Sequence, residues 1–281
     1  MIFWIASYPK SGNTWLRALI TSYYFTPNGI FDPLKLKNIP QFPEKFFFRH
    51  FNYDKKNVTD TTRFWIKAQQ KINLDNKVRF LKTHNFLGSV DGNNFTDKKN
   101  TIAGIYIVRD PRNVITSLKN HFELNYDEAL KFMLNEKKFT YDFNKKEDYS
   151  DFQFISSWKF NFQSWKNQKQ FKLKFIRYED LLSETFHVFK EVVEFINSTC
   201  NFNVNFIKKK AQNSIQSTTF ENLKKIENKN GFLEAALSRN DKKKIPFFYM
   251  GANNNWKKIL KDDFKTKLDL KFHDNLKELN Y

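Results

Sequence analysis

Three short stretches of the 281-residue chain carry residue types that could do chemistry together. The first is Tyr8-Pro9-Lys10-Ser11-Gly12-Asn13-Thr14-Trp15, where an apolar run turns sharply into a helix-patterned segment. Gly12 lets the backbone come close to a ligand, and Asn13 or Thr14 is expected to cap the helix. Amides exposed at that helix start, together with Lys10, make an anion site. The usual triphosphate loop reads G-x-x-x-x-G-K-[ST], whereas here Lys10 precedes Gly12. The second stretch pairs Arg109 with Ser117, just over two helical turns onward: a fork-shaped donor and a hydroxyl, both suited to a phosphate. The third, Lys82-Thr83-His84, offers the commonest general base beside a lysine. Taken singly, the first reads also as an ordinary turn, and the other two read better as an Arg-Asp pair at a helix start and a satisfied polar histidine.

The elements that must position these residues decide between the readings. Residues 1–7 are strand-like, and Trp15, Leu16, Leu19, Ile20 and Tyr23 then repeat at helical spacing. Residues 78–84 alternate as a strand does, and residues 102–108 form the continuous apolar run of a strand buried on both faces. Asp110-Pro111 reads as an N-cap with proline at the first helical position, and Ile115, Leu118 and Phe122 continue that helix. Phe154, Ile155, Trp158, Phe162 and Trp165 mark another core-facing helix. Residues 171–182 read as a strand running into a turn, and residues 184–198 as a helix. This alternation predicts an α/β fold of three layers, a mostly parallel sheet flanked by helices, in one domain over residues 1–281. Ligands of such sheets sit at the carboxyl ends of the strands, where Lys10, His84 and Arg109 all fall.

In this combination the sequence resembles the sulfotransferases that use 3′-phosphoadenosine-5′-phosphosulfate (PAPS), the cytosolic-type family. YPKSGNTW is similar to that family's 5′-phosphosulfate loop, IVRDPRNVITS to its 3′-phosphate motif, and KTH to the segment bearing its catalytic histidine. RYEDLL (residues 177–182) and STTFENLK (residues 217–224) resemble its adenine-contacting segments, so the likeness runs through most of the chain. The resemblance implies a P-loop-NTPase-like sulfotransferase fold. It implies that Lys10, Ser11, Gly12, Asn13 and Thr14 hold the 5′-phosphosulfate and that Trp15 flanks the adenine. Arg109 and Ser117 are then expected on the 3′-phosphate, and Tyr178, Thr218 and Phe220 on the adenine. His84 is expected to take the acceptor's proton, with Lys82 beside it. A sulfuryl group carries less charge than a phosphoryl group, so the magnesium clamp of kinases is less necessary.

One motif departs from the family. Where R-K-G-x-x-G-D-W is usual, residues 249–256 read YMGANNNW. Gly251 and Trp256 fit, Tyr249 and Met250 replace the Arg-Lys pair, and Asn254 replaces the second glycine. The expected compensation for the lost arginine is Arg239 or the Lys242-Lys243-Lys244 cluster.

The bulk properties narrow the alternatives. The net charge of +18 would suit a nucleic-acid or polyanion binder. The basic residues are scattered in short groups, however, and the wealth of lysine, asparagine, isoleucine and phenylalanine follows from AT-rich coding. No nucleic acid is therefore expected. A single cysteine, Cys200, excludes an intrachain disulfide and suits a cytoplasmic protein. No apolar stretch is long enough to span a bilayer. The remaining histidines, His50, His121, His187 and His273, lack metal-ligand spacing, so no metal is expected. A P-loop kinase and a non-catalytic basic binder stand as competing classes. The acceptor is expected to be a small molecule, a lipid-linked molecule or a saccharide, set by loops whose aromatics, Phe46, Phe47, Phe48 and Phe86, either line a pocket or join the core.

Overall fold

The computed structural model describes residues 1–141, 148–238 and 243–281. Four parallel strands form the central sheet: β1 (Ile2–Ser7), β2 (Arg79–Thr83), β3 (Thr101–Val108) and β4 (Lys172–Arg177), in the order β2-β1-β3-β4. Strand β1 is thus central, and every one of its residues from Ile2 to Ser7 is buried. Its side chains alternate between two cores. Phe3 and Ile5 join one, whereas Ile2, Trp4 and Ala6 join the other. That is why these runs are apolar without a polar face.

Helices cover both faces, as the alternation predicts. On the Phe3 side lie α1 (Asn13–Phe25), α7 (Thr185–Cys200) and α8 (Lys208–Ser217), contributing Leu16, Leu19, Val192, Ile196 and Ala211. On the Trp4 side lie α2 (Trp65–Ile72), α3 (Pro111–Phe122), α4 (Tyr126–Leu134), α5 (Trp158–Lys166) and α10 (Asp262–Glu278). Two further helices complete the set used below: α6 (Tyr178–Ser183), directly after β4, and α9 (Phe220–Asn230).

Three local expectations are corrected. The helix read from Phe154 begins at Trp158: Ser156 adopts a left-handed φ of 57° and Ser157 caps the helix by accepting from the Phe160 amide, so Phe154 and Ile155 stand outside it. Residues 171–182 are not one strand with a turn, because β4 stops at Arg177 and α6 starts at Tyr178. Neither Asn13 nor Thr14 caps α1. The N-cap is Gly12, without a side-chain hydrogen bond, since Asn13 donates to the Ile5 carbonyl at 3.0 Å and the Thr14 hydroxyl turns to Glu234 at 2.7 Å. Phe48 is core, Phe46 is exposed, and neither they nor Phe47 and Phe86 line the main cavity.

Candidate active site

The register of the sheet brings the chemical residues to one edge. Ala6 pairs with Thr83, Ser7 with Ile107 and Val108 with Arg177, so the four strands end level. Beyond those ends follow the Lys10 loop, His84, Arg109 and Tyr178. A cavity of about 1140 Å³ opens there, lined by Lys10, Gly12, Asn13, Thr14, Trp15, Lys82, His84, Arg109, Ser117, Tyr178, Phe220 and Gly251. Two expected residues stand apart. Ser11 and Thr218 do not line it; both are fully buried, and the Thr218 hydroxyl donates back to the Ser214 carbonyl at 2.7 Å.

The loop after β1 is built tightly. Lys10 holds a left-handed φ of 66°, unusual for a residue with a side chain, and Gly12 follows at 98°. A Cβ on Gly12 would stand 2.5 Å from the Tyr178 ring, so only glycine lets α6 close over the loop. The Lys10 ammonium rests over the Phe247 ring, 4.0 Å from its centre. Burial lowers its pKa to about 7; Arg109 and Lys82 push the same way, while Glu234 opposes them.

Glu234 is the residue that sequence reasoning missed. Its carboxylate accepts from the Thr14 hydroxyl at 2.7 Å, from Lys82 at 3.2 Å and from the buried Arg17 guanidinium. Burial would raise this carboxyl, but Lys82 and Arg17 together hold it well below the usual carboxylate range. An internal anion thus takes the Thr14 hydroxyl that the resemblance assigns to an anionic ligand, together with Lys82 and Arg17. The only sequence signal was an acidic residue in a loop, 220 positions from Thr14.

His84 is fixed from both sides. Its backbone N–H donates to Gln153 Oε1 at 2.8 Å, and its carbonyl accepts from Asn161 Nδ2 at 2.9 Å. The ring Nδ1 lies 2.8 Å from the Ser7 carbonyl and 3.2 Å from the Ser7 hydroxyl. An unprotonated Nδ1 would set its lone pair against that carbonyl, so the proton resides on Nδ1 and the Nε2 lone pair is left for a ligand. Burial, then the Lys82 charge, lowers the ring's pKa to about 3, which keeps it neutral at ordinary pH.

At the far end, the Arg109 guanidinium lies 4.2 Å from the centre of the Tyr178 ring and donates to the Lys10 carbonyl at 3.2 Å. Trp15 meets Tyr178 edge-on at 5.8 Å. Gly251, with φ 56°, packs against Phe220, whose ring would lie 2.5 Å from an added Cβ. Tyr249 and Lys244 also border the cavity, whereas Arg239 and Lys242 lie outside the described residues. Buried polar atoms here without a protein partner include Arg109 Nε and Ser11 Oγ. Lysine, guanidinium, bare helix start and orphaned donors together suit a ligand carrying separated anionic groups. Among the described residues no group of three histidine, cysteine or acidic side chains is placed to hold a metal.

Comparison with known proteins gives the family and the fold. A family model described as Sulfotransferase domain matches residues 2–280. The chain belongs to the sulfotransferase domain family. Mouse sulfotransferase SULT7A1 complexed with PAP shares the fold at a TM-score of 0.58 and 18% identity, over 98% of this chain and 84% of that one. Retinol dehydratase in a complex with retinol and PAP matches at 0.61 and 16%, over 98% and 81%. Its complex with androsterone and inactive cofactor PAP matches at 0.54 and 16%, over 98% and 80%. The sheet with its strand-loop-helix entrance is thus the P-loop-like sulfotransferase fold. No curated protein matches the sequence.

Proposed function

We propose that the protein transfers a sulfuryl group from PAPS to an acceptor hydroxyl or amine by in-line displacement. The observation that carries this reading is His84, neutral and held by the Ser7 carbonyl so that Nε2 is the free lone pair, in the same cavity as Lys10. The family membership supports sulfuryl transfer as the class of reaction. Two structural relatives, mouse sulfotransferase SULT7A1 and retinol dehydratase, are complexes with PAP, the product of such a donor.

The donor fits the residues present. Lys10 and the start of α1 take the 5′ anionic end; Arg109, with its unpartnered Nε, and Ser117 take the 3′-phosphate. Trp15, Tyr178 and Phe220 supply the aromatic surfaces for an adenine. His84 Nε2 takes the acceptor's proton as its oxygen attacks sulfur, and Lys10 stabilises the charge that grows on the departing phosphate oxygen. Burial keeps His84 a neutral base, and Lys82, held by Glu234, adds to that with its positive charge. Among the described residues no helix is long and apolar enough to cross a membrane.

Calorimetric titration with PAP, ADP and ATP tests the reading. Clear preference for PAP is expected, followed by transfer of sulfate from labelled PAPS to an acceptor panel. Equal binding of ATP, or no binding, would defeat it and favour a kinase or a polyanion binder.

A further inference from the structure

Asn254 stands where the family pattern has a glycine, and it reaches the site. Its Nδ2 donates to the Ser117 hydroxyl at 3.0 Å and to the Asn113 carbonyl at 2.9 Å, while its Oδ1 accepts from the Thr116 hydroxyl. The side chain is buried and saturated with partners.

The consequence lies in where the Ser117 proton points. A serine inside a helix ordinarily gives its hydroxyl proton back to a carbonyl one turn earlier, here Asn113. That carbonyl already takes Asn254 Nδ2 and has the Thr116 hydroxyl 2.7 Å away. Ser117 therefore accepts from Asn254, and among the described residues its hydroxyl has no other partner. The hydrogen is left to face the cavity that Ser117 and Asn254 both line. An O–H presented in this way is a donor, which is what a phosphate oxygen requires.

We propose that Asn254 is a positioning residue that sets the selectivity of this chain for a 3′-phosphorylated nucleotide, in the place of the Arg-Lys pair that Tyr249 and Met250 have displaced. The inference rests on the donor assignment made above. A single arginine, Arg109, then shares the 3′-phosphate with a serine locked in donor orientation. The lost arginine is offset by geometry as well as by the nearby Lys244.

The test compares dissociation constants for PAP and for adenosine 5′-phosphate, which lacks only the 3′-phosphate. In the wild type PAP binds the more tightly. Asn254→Ala releases the Asn113 carbonyl, lets Ser117 turn its proton inward, and lowers the preference about tenfold, leaving adenosine 5′-phosphate affinity unchanged. Asn254→Asp keeps the shape, draws the Ser117 proton to its carboxylate and lowers the preference further. Ser117→Ala with Asn254→Ala is no worse than Ser117→Ala alone, because both act through one hydroxyl. A wild-type preference retained in both Asn254 variants, or full additivity with Ser117→Ala, overturns the inference and leaves the donor reading intact. A wild type that does not discriminate between the two nucleotides overturns the donor reading itself, and the inference with it.

Discussion

Removing the charge of Glu234 gives the sharpest test of the anion site. In Glu234→Gln, Lys82 and Arg17, with side chains only 9% and 5% exposed, lose the carboxylate that balanced both. Breaking a fully buried ion pair costs about 3–5 kcal/mol. Glu234 is itself 25% exposed, and the glutamine oxygen can still accept from Arg17 or Thr14, so a loss of about 2 kcal/mol is expected. For a chain of this size that corresponds to roughly 4–8 °C in Tm, read by differential scanning calorimetry at pH 7. The loss should be recovered by an added anion. Inorganic phosphate or PAP should raise the Tm of the variant more than that of the wild type, because in the wild type the ligand must first displace a resident carboxylate. The carboxyl is held below its ordinary range, so its contribution is present above about pH 4.5 and is lost as pH falls through the folded value. The variant should accordingly show a shallower acid transition. An unchanged Tm, or equal stabilisation of both proteins by phosphate, would refute the view that Glu234 stands in for a ligand.

Four further outcomes are expected. His84→Asn keeps a donor for the Ser7 carbonyl but removes the base, so turnover should drop about 10²–10⁴-fold with PAP affinity nearly unchanged; turnover near wild type would mean that another group takes the proton. Because Lys10 titrates at about 7 and a bound phosphate raises it, PAP binding at pH 8 should take up a proton, seen as a buffer-dependent calorimetric enthalpy. In the same way kcat/KM should hold level from pH 5 to 6.5, where His84 is neutral and Lys10 charged, and fall above 7; a rise there would contradict the lysine's role. Gly12→Ala forces a left-handed side-chain residue and drives its Cβ into the Tyr178 ring, so PAP affinity should weaken at least tenfold, with a loss of about 1–3 kcal/mol in stability by denaturant titration.

Much of the sheet was readable because both-sided burial leaves a plain mark: IFWIAS and IAGIYIV carry no polar face, and each is followed at once by turn chemistry. Lys10, His84 and Arg109 were found for the same reason, since a strand end announces the residue after it. What escaped depended on contacts far along the chain. Nothing near Glu234 says that Thr14, Arg17 and Lys82 surround it, because the partners lie 152 to 220 residues away. Thr218 looked like a ligand contact by motif, yet a threonine at a helix end can satisfy itself on the preceding turn, and this one does. The early start read for α5 failed locally: Phe154 and Ile155 have helical spacing, but Ser156 takes a backbone angle that no helix tolerates.

The central position of β1 sets the order of events during synthesis. Its partners on either side, Arg79 and Thr101, are made 77 and 99 residues after Ile2. At about 5–20 residues per second, the ribosome leaves this wholly apolar strand without a neighbour for roughly 4–15 s before even the first can pair. Both of its edges are open in that interval, and Trp4 and Phe3 have no core to enter. Expression yield should therefore depend on chaperones that shield short apolar segments, and should respond to codon choice between residues 8 and 101 more than to codon choice in the last third of the chain.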